Sequence, residues 1–311
     1  MLESEQRDYT VVSADDFSVP VKELDLADAT FVPGDCSIEK ALESLNSSQA
    51  GALLIGTSSK LEGIITEKDM LHKAVLNFEL VKDNPVSSIM TANPLTLSED
   101  NTVLDIIKLM CAKEFRHLPI KKSDGHAMIG VNDLLYYFLD HFHSDLEVHG
   151  TKIEWSRDGV YLQEFIHYNE EDESLEEEIS PRIFETPLRK IMFRDAHYCD
   201  AETPFYEAVK SMVEKRKGSI LVMEYETEMR GIVSERDLIR KFLTFDDLKL
   251  VAIREFMTKD PHKLLEQDLI AVALNNMSKF KYRSVIVANQ EGFPISIVTI
   301  LDILKYIASK F

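Results

Sequence analysis

Apolar positions along the chain alternate between two periods, and this alternation occurs four times. Apolar residues recur at steps of three and four, the period of a helix, in "SIEKALESL", "TVLDIIKLM", "PFYEAVKSM" and "LIAVALNNM". Each segment is followed by a β-rich run ("GALLIG", "RHLPI", "GSILVM" and "RSVIVA") and then by a second short strand. A second helix-like run closes each copy. The pattern predicts four units with the order helix, strand, strand, helix.

The junction between the second strand and the second helix carries a repeated phrase. It reads "GIITEKDMLHKA" from Gly63 to Ala74 and "GIVSERDLIRKF" from Gly231 to Phe242, with weaker copies in "AMIGVNDLLYYF" and "SIVTILDILKYI". The anchoring aspartates of the four copies are Asp69, Asp133, Asp237 and Asp302. The first two anchors are about as far apart as the last two, with a longer interval between the pairs. The chain is therefore a duplication of a duplication.

These features resemble the CBS (cystathionine-β-synthase-type) domain, whose repeats associate in pairs called Bateman modules. The resemblance rests on the aspartate phrase, the "RHLPI" strand and three lead-ins: "IMT" at Ile89–Thr91, "FMT" at Phe256–Thr258 and "IMF" at Ile191–Phe193. It implies an α+β fold in which four CBS repeats form two pseudo-twofold Bateman modules. Pairing is also expected because a single unit cannot bury its own faces. The two modules are expected to stack either within one chain or across a homodimer.

The repeats and the composition between them divide the chain. We expect an N-terminal tail over residues 1–20, a first module with repeats one and two over 21–140, a linker over 141–184, and a second module with repeats three and four over 185–311. The linker contains the acidic run "NEEDESLEEE", which is typical of a solvated segment. It also contains "KIEWSRDGVYLQEFIHY", where β-forming residues flank Asp-Gly as in a hairpin. A contact surface and a packing flap are the two interpretations of this hairpin.

The repeated phrase has a structural and a functional interpretation. In "SERD", Ser234 and Asp237 match a capping box at a helix start. The other hydroxyl–aspartate pairs are Thr66 with Asp69 and Thr299 with Asp302. A helix N-terminus also suits a phosphate, because it presents free N–H groups and the positive end of the helix dipole. The resemblance implies this second use: an adenosine-containing ligand between units, its phosphate bound by the hydroxyl and its ribose by the aspartate. The two interpretations are compatible, because a ligand can replace part of a cap.

The four copies of the phrase are not equivalent. In the second copy Gly130 stands at the hydroxyl position, so the helix start around Asp133 survives but a phosphate donor is missing. In the fourth copy Thr299 is followed by the apolar pair Ile300 and Leu301, where copies one and three carry charges. The third copy matches the family pattern best. We therefore expect fewer than four equal ligand sites, with the second copy the poorest.

A phosphate beside an aspartate needs a compensating cation. Arg116 and Arg283 precede the first strand of the even copies at closely matching places, and His117 follows Arg116. They suggest a site that joins the phrase of an odd copy to an arginine of its even partner. A solvated strand edge is the alternative for each arginine, and a half-buried packing role is the alternative for His117. The predicted nucleotide-binding residues are Thr66, Asp69, Arg116, His117, Asp133, Ser234, Asp237, Arg283, Thr299 and Asp302.

Composition and charge restrict the partners and the cellular compartment that we expect for the protein. The 311 residues carry a formal net charge of −19, so a nucleic-acid backbone or an anionic membrane face would repel the chain. The apolar runs are too short to span a bilayer, and the acidic first residues do not form a secretory signal. Three widely spaced cysteines favour a reducing cytosol over a disulfide framework or a zinc site. We expect a cytoplasmic protein without a nucleic-acid or membrane partner.

No motif in the sequence indicates catalysis or metal binding. The chain has no G-x-S-x-G elbow, no Gly-rich phosphate loop and no H-E-x-x-H. His141, His143 and His149 lie near one another, but nothing fixes a tetrahedral geometry, so no metal site is expected.

The resemblance and the absence of catalytic motifs together predict a non-catalytic sensor. It would bind an adenine nucleotide (AMP, ADP or ATP) or a related adenosyl compound, with no covalent cofactor, and relay binding by conformational change to an unidentified protein partner. The alternative is a scaffold or regulatory subunit whose CBS pairs mediate protein–protein association with little or no ligand binding.

Overall fold

The computed structural model describes residues 13–48, 50–142, 183–191, 195–225, 227–245 and 247–310, which form four successive units. The first unit consists of β1 (Phe31–Val32), α1 (Ile38–Ser48), β2 (Ala52–Thr57), β3 (Lys60–Thr66) and α2 (Glu67–Lys73). After the short helix α3 (Phe78–Val81), the second unit consists of β4 (Thr91–Ala92), β5 (Leu97–Ser98), α4 (Val103–Lys113), β6 (His117–Lys122), β7 (Gly125–Gly130) and α5 (Val131–His141).

The second half of the chain repeats this order. The third unit consists of β8 (Tyr198–Asp200), α6 (Phe205–Glu214), β9 (Ser219–Glu224), β10 (Glu228–Ser234) and α7 (Glu235–Phe242). The fourth unit consists of β11 (Thr258–Lys259), β12 (Lys263–Leu265), α8 (Ile270–Lys279), β13 (Ser284–Ala288), β14 (Pro294–Thr299) and α9 (Ile300–Ala308). The α+β class and the four helix–strand–strand–helix units predicted from the hydrophobic periods are thereby confirmed.

Each unit forms a small sheet around an antiparallel pair of strands. The pairs are β2/β3, β6/β7, β9/β10 and β13/β14. A short strand from before the first helix of the unit lies parallel to the first member of each pair, as β1 does to β2 and β8 to β9. The first helix therefore joins two parallel neighbouring strands, which is the connection that such strands require.

The sheets of the odd units gain a fourth strand from the unit that follows. β4 pairs antiparallel with β3, and β11 pairs antiparallel with β10. A Cβ at Gly231 would lie 2.6 Å from the Thr258 carbonyl oxygen and 2.8 Å from Met257 Sδ. The odd phrases therefore require glycine as their first residue, because the lead-in segment of the following unit approaches this residue closely. The even phrases carry Ala127 and Ser296 at this position, where only an isolated bridge forms.

Units associate into modules through their sheets. In the first module, Leu54 of unit one belongs to a buried apolar cluster against which Met128 of unit two packs. In the second module, Leu221 of unit three and Ile286 of unit four share a buried cluster. Unit one therefore pairs with unit two and unit three with unit four, as predicted.

The two modules stack on each other through their helices, within one chain. The helices of units one and three enclose one apolar core, and those of units two and four enclose another. In the first of these cores the rings of Phe78 and Phe242 meet edge to face, with centroids 4.8 Å apart. Asn46 Nδ2 also donates to the Ile239 carbonyl oxygen across this boundary at 3.2 Å. The helix starts of the four units are thereby brought to the centre of the molecule.

Segments that flank the modules also enter the core. Phe17 is fully buried, with its ring centroid 5.4 Å from that of Phe138 and 5.8 Å from that of Phe142. Ile183 and Phe184 join the same apolar core. The predicted hairpin, the acidic run, His143 and His149 lie outside the described residues.

Candidate functional site

The hydroxyl–aspartate pairs form closed hydrogen-bond rings at three helix starts. In unit three, Ser234 Oγ donates to Asp237 Oδ2 at 2.6 Å, and the Asp237 N–H donates back to Ser234 Oγ at 3.3 Å. The same ring joins Thr66 to Asp69 and Thr299 to Asp302. The interpretation of the phrase as a capping box is therefore confirmed. In each ring the hydroxyl donates its proton to the aspartate.

The second unit keeps half of this arrangement. The Gly130 N–H donates to Asp133 Oδ2 at 2.6 Å, and this position has no hydroxyl to complete the ring. Burial raises the pKa of the Asp133 carboxyl, while the bonds from the backbone of Gly130 and Asp133 oppose that rise. The helix start has survived the loss of the hydroxyl, as the sequence predicted.

The four aspartates differ in their access to solvent. Asp69, Asp133 and Asp237 are partly exposed. Asp302 is 3% exposed, and its neighbours Ile300 and Leu301 are also buried. The aspartates of units one, two and three therefore keep some contact with solvent, whereas the aspartate of unit four is buried.

Two positions of the repeat carry different types of residue in the odd and in the even units. The first residues of the second helices α2, α5, α7 and α9 are Glu67, Val131, Glu235 and Ile300. The residues just before the strands β2, β6, β9 and β13 are Gly51, Arg116, Gly218 and Arg283. In every unit the N–H of the former donates to the carbonyl oxygen of the latter, so the positions correspond. Odd units thus combine a glutamate with a glycine, and even units combine an apolar residue with an arginine.

Each of these glutamates binds an arginine of the other module. Arg283 Nη1 donates to Glu67 Oε2 at 2.8 Å, and Arg116 Nη2 donates to Glu235 Oε2. The pseudo-twofold relation between the modules carries one glutamate–arginine pair onto the other. Arg236 Nε adds a third bond, to Glu67 Oε1 at 2.7 Å. The residue that matches Arg236 in unit one, Lys68, is exposed.

The basic side chains of three units converge on Gly51. Its φ of 78° lies in the left-handed region that favours glycine. A Cβ at this residue would lie 2.8 Å from Arg283 Nη2, 3.0 Å from His117 Nε2 and 3.2 Å from Arg236 Nη2. Glycine at position 51 therefore leaves room for three nitrogens from units two, three and four.

His117 contributes a neutral ring to this convergence. Burial, helped by the charges of Arg116 and Arg236 and opposed by Glu67, lowers the pKa of His117 to about 4. We name the set formed by Glu67, Arg116, His117, Glu235, Arg236 and Arg283 the central cluster. With His117 neutral, the arginines of the central cluster outnumber its glutamates, so these six side chains together carry a positive formal charge.

The sequence predicted part of the central cluster and missed part of it. It named Arg116, His117 and Arg283, but it gave no side-chain role to Glu67, Glu235 or Arg236. At two fixed positions of the repeat, the odd units carry a glutamate and a glycine, and the even units carry an apolar residue and an arginine. This alternation is the sequence signal that would have identified the glutamates. We also expected each arginine to serve the odd unit of its own module, whereas its hydrogen bonds cross to the other module. Arg116 nevertheless lies within electrostatic reach of Asp69 in its own module.

Other candidates from the sequence have ordinary surroundings. His141 Nε2 lies 3.5 Å from Asp16 Oδ1, and its ring stacks on Tyr137. Within the described ranges, no three His, Cys, Asp or Glu side chains gather as metal ligands. Across the same ranges, no helix combines the length and apolar character needed to cross a bilayer.

Comparison with known sequences identifies the repeats. The family profile of the CBS domain matches residues 21–75, 86–140, 188–244 and 253–309. CBS domain-containing protein CBSCBSPB1 of Arabidopsis thaliana is 24% identical over 297 residues, which cover 91% of this chain and 52% of the plant protein. This chain thus spans about half the length of the plant relatives it matches. An uncharacterised 17.7 kDa protein of Acidianus ambivalens is 34% identical over 112 residues, 35% of this chain and 66% of that protein.

Comparison with solved structures identifies the same fold. Protein MJ1225 of Methanocaldococcus jannaschii, a proposed archaeal homologue of g-AMPK, superposes with a TM-score of 0.70 at 19% identity, over 93% of this chain and 100% of that one. An uncharacterised conserved protein of Pyrococcus horikoshii gives 0.53 at 16% identity, over 92% and 97% of the two chains. The four profile matches fall on the four units, in two pairs, and the chain belongs to the CBS domain family.

Proposed function

We propose that this protein is a non-catalytic, cytoplasmic regulatory protein. It binds an adenine nucleotide in the clefts of its paired CBS domains and relays the binding to a protein partner through a change of shape. The observation that carries the proposal is the position of Arg116, whose guanidinium interacts electrostatically with Asp69, Glu67 and Glu235. A carboxylate suited to a ribose and a guanidinium suited to a phosphate therefore lie within electrostatic range of one another between units one and two.

The proposed contacts follow from the chemistry of the two groups. A guanidinium offers a rigid fork of donors that matches phosphate oxygens, and bonds between charged partners are stronger than neutral ones. A carboxylate accepts hydrogen bonds from the two neighbouring hydroxyls of a ribose. We propose the two best sites at Asp69 and Asp237, in the odd units, because each of these aspartates is partly exposed and has a neighbouring hydroxyl. Asp133 lacks a neighbouring hydroxyl and Asp302 is buried, so these two sites are weaker.

One observation favours a scaffold as the second candidate function. The hydroxyls of Thr66, Ser234 and Thr299 bind their aspartates, and the arginines of the central cluster bind glutamates. The groups proposed for ligand binding are thus satisfied within the protein. A scaffold with internal ion pairs would have the same bonds and would not require a nucleotide.

Calorimetric titration of AMP, ADP and ATP into matched variants distinguishes the two functions. Asp69→Ala and Asp237→Ala remove a cap and the proposed ribose acceptor together. Asp105→Ala removes a cap alone, because Asp105 accepts from the Thr102 N–H at 3.0 Å in an equivalent box at the start of α4. We expect the first two variants to lose about 1.5–3 kcal/mol of binding free energy, roughly 10- to 150-fold in affinity, and Asp105→Ala to lose none. If none of the three nucleotides binds the parent protein, the scaffold is the better account.

A further inference from the structure

Glu67 occupies the place that an anionic ligand group would take among the arginines. Its two carboxylate oxygens accept from Arg236 Nε at 2.7 Å and from Arg283 Nη1 at 2.8 Å. Its side chain is 8% exposed, so the charge is held by these guanidinium groups and not by water. Two donors from two different units thus converge on one anion, which is the geometry that a phosphate also requires.

Glu235 occupies the corresponding place in the other half of the molecule. It accepts from Arg116, and its side chain is 3% exposed. Neither glutamate is needed to start its helix, because the capping boxes of α2 and α7 use the preceding hydroxyl and the aspartate. The capping function therefore does not explain a buried carboxylate at these two positions.

We propose that Glu67 and Glu235 are built-in competitors of the ligand phosphate. In the ligand-free chain they hold the arginines across the module boundary, and a phosphate that binds these arginines must displace them. This inference rests on the proposed function and adds a regulatory step to it. A buried carboxylate that loses its cation is costly, so a displaced glutamate must leave its position.

The displacement links binding to the arrangement of the modules. Arg283 comes from unit four and Glu67 from unit one, so their bond joins the second module to the first. The Arg116–Glu235 pair joins the same modules in the opposite sense. A phosphate that takes either arginine therefore releases a contact between modules, which supplies the change of shape that a partner would sense.

The test compares ligands with and without a phosphate on charge-neutral variants. Glu67→Gln and Glu235→Gln keep the size of the side chain and remove its charge. Glu62→Gln is the matched control, because Glu62 lies on β3 in an exposed ion pair with Lys60 at 2.7 Å. AMP, adenosine and pyrophosphate are titrated into the full chain by calorimetry. We expect each central variant to bind AMP about tenfold more tightly, or about 1.4 kcal/mol, with adenosine unchanged and the control equal to the parent.

The outcomes separate this inference from the proposed function. Unchanged or weaker AMP binding in both central variants overturns the competition, and so does an equal gain for adenosine, because the gain must depend on the phosphate. If AMP binds no variant, the nucleotide function fails and pyrophosphate decides: a larger rise in melting temperature in the Gln variants supports competition, and equal rises overturn it. If Glu67→Gln does not fold, Glu235→Gln decides by the same criteria.

Discussion

Glu67 and Arg283 are 216 positions apart in the sequence, and a hydrogen bond of 2.8 Å joins Glu67 Oε2 to Arg283 Nη1. The bond connects unit one to unit four, whose long helices lie in different apolar cores. The side chains of Glu67 and Arg283 are 8% and 18% exposed, so water screens their charges little. The contact between the modules therefore includes buried charged groups in addition to the two apolar cores.

Arg283→Met should destabilise the ligand-free protein. The change removes a charged donor and leaves Glu67 with fewer partners, so we expect a loss of about 1.5–3 kcal/mol in the free energy of unfolding. Lys305→Met is the control, because Lys305 also joins unit four to another unit, in an ion pair with the exposed Glu114. Its loss should be about 0–1 kcal/mol. Urea unfolding measures both, and equal losses would contradict a special role for Arg283.

Gly51→Ala should disrupt the convergence of the basic side chains. Alanine at position 51 would have to keep the positive φ, and its Cβ would press on Arg283, His117 and Arg236. Gly292→Ala isolates the backbone term, because Gly292 has a φ of 80° and nothing within 4 Å of its added Cβ. The control should lose about 1–2 kcal/mol of stability, and Gly51→Ala should lose more. Thermal unfolding of the two variants gives the comparison, and equal losses would show that crowding at Gly51 is relieved without cost.

Gly231→Ala should separate β11 from β10. The added Cβ would meet the Thr258 carbonyl oxygen at 2.6 Å, and backbone atoms cannot move aside as a flexible side chain can. We expect a loss of about 1–3 kcal/mol in unfolding free energy. Gly34→Ala serves as the control, since its closest contact would be 3.4 Å, to a side-chain atom of Glu62. The Asp260 N–H donates to the Arg230 carbonyl oxygen of β10 at 3.1 Å, so its hydrogen exchange should also accelerate in Gly231→Ala, and unchanged protection there would contradict this role for the glycine.

His117 should make the protein less stable in mild acid. Burial lowers the pKa of His117 from 6.5 to about 4, so between these values the unfolded chain binds a proton that the folded chain does not. Stability therefore falls as the pH decreases through this window. Between about pH 7 and about pH 5, the parent should lose about 1–2 kcal/mol more than His117→Gln.

The control for the acid effect is His262→Gln, at an exposed ring that stacks on Phe280. This variant should follow the parent across the same pH range. Urea unfolding at each pH provides the measurement. A parallel loss of stability in the parent and in His117→Gln would mean that other groups cause the acid sensitivity.

Local chemistry made the units and their caps predictable from the sequence. Each unit contains its own hydrophobic periods, and Ser234 with Asp237 forms the ring that "SERD" predicted. The pairing of units also followed, because a single unit cannot bury its own sheet. These features depend on residues that are near one another in the chain or in the repeat.

Features that depend on the stacking of the modules could not be predicted in the same way. The hydrogen bond of Arg116 in unit two to Glu235 in unit three forms because the two modules stack, and no local pattern specifies that contact. The closure of Asp302 follows from the burial of Ile300 and Leu301 beside it. Phe17, in the segment predicted as a tail, packs into a core made by units two and four.

In the sequence β4 belongs to unit two and β11 to unit four, but in the structure they join the sheets of units one and three. A chain cut between units one and two would leave β3 with a bare edge, and bare edges recruit strands from other molecules. The smallest piece of this protein that keeps all the strand pairings of an odd unit is therefore a pair of units. A fragment limited to unit one or unit three would therefore expose this edge to other molecules, whereas a fragment of two successive units would keep it paired.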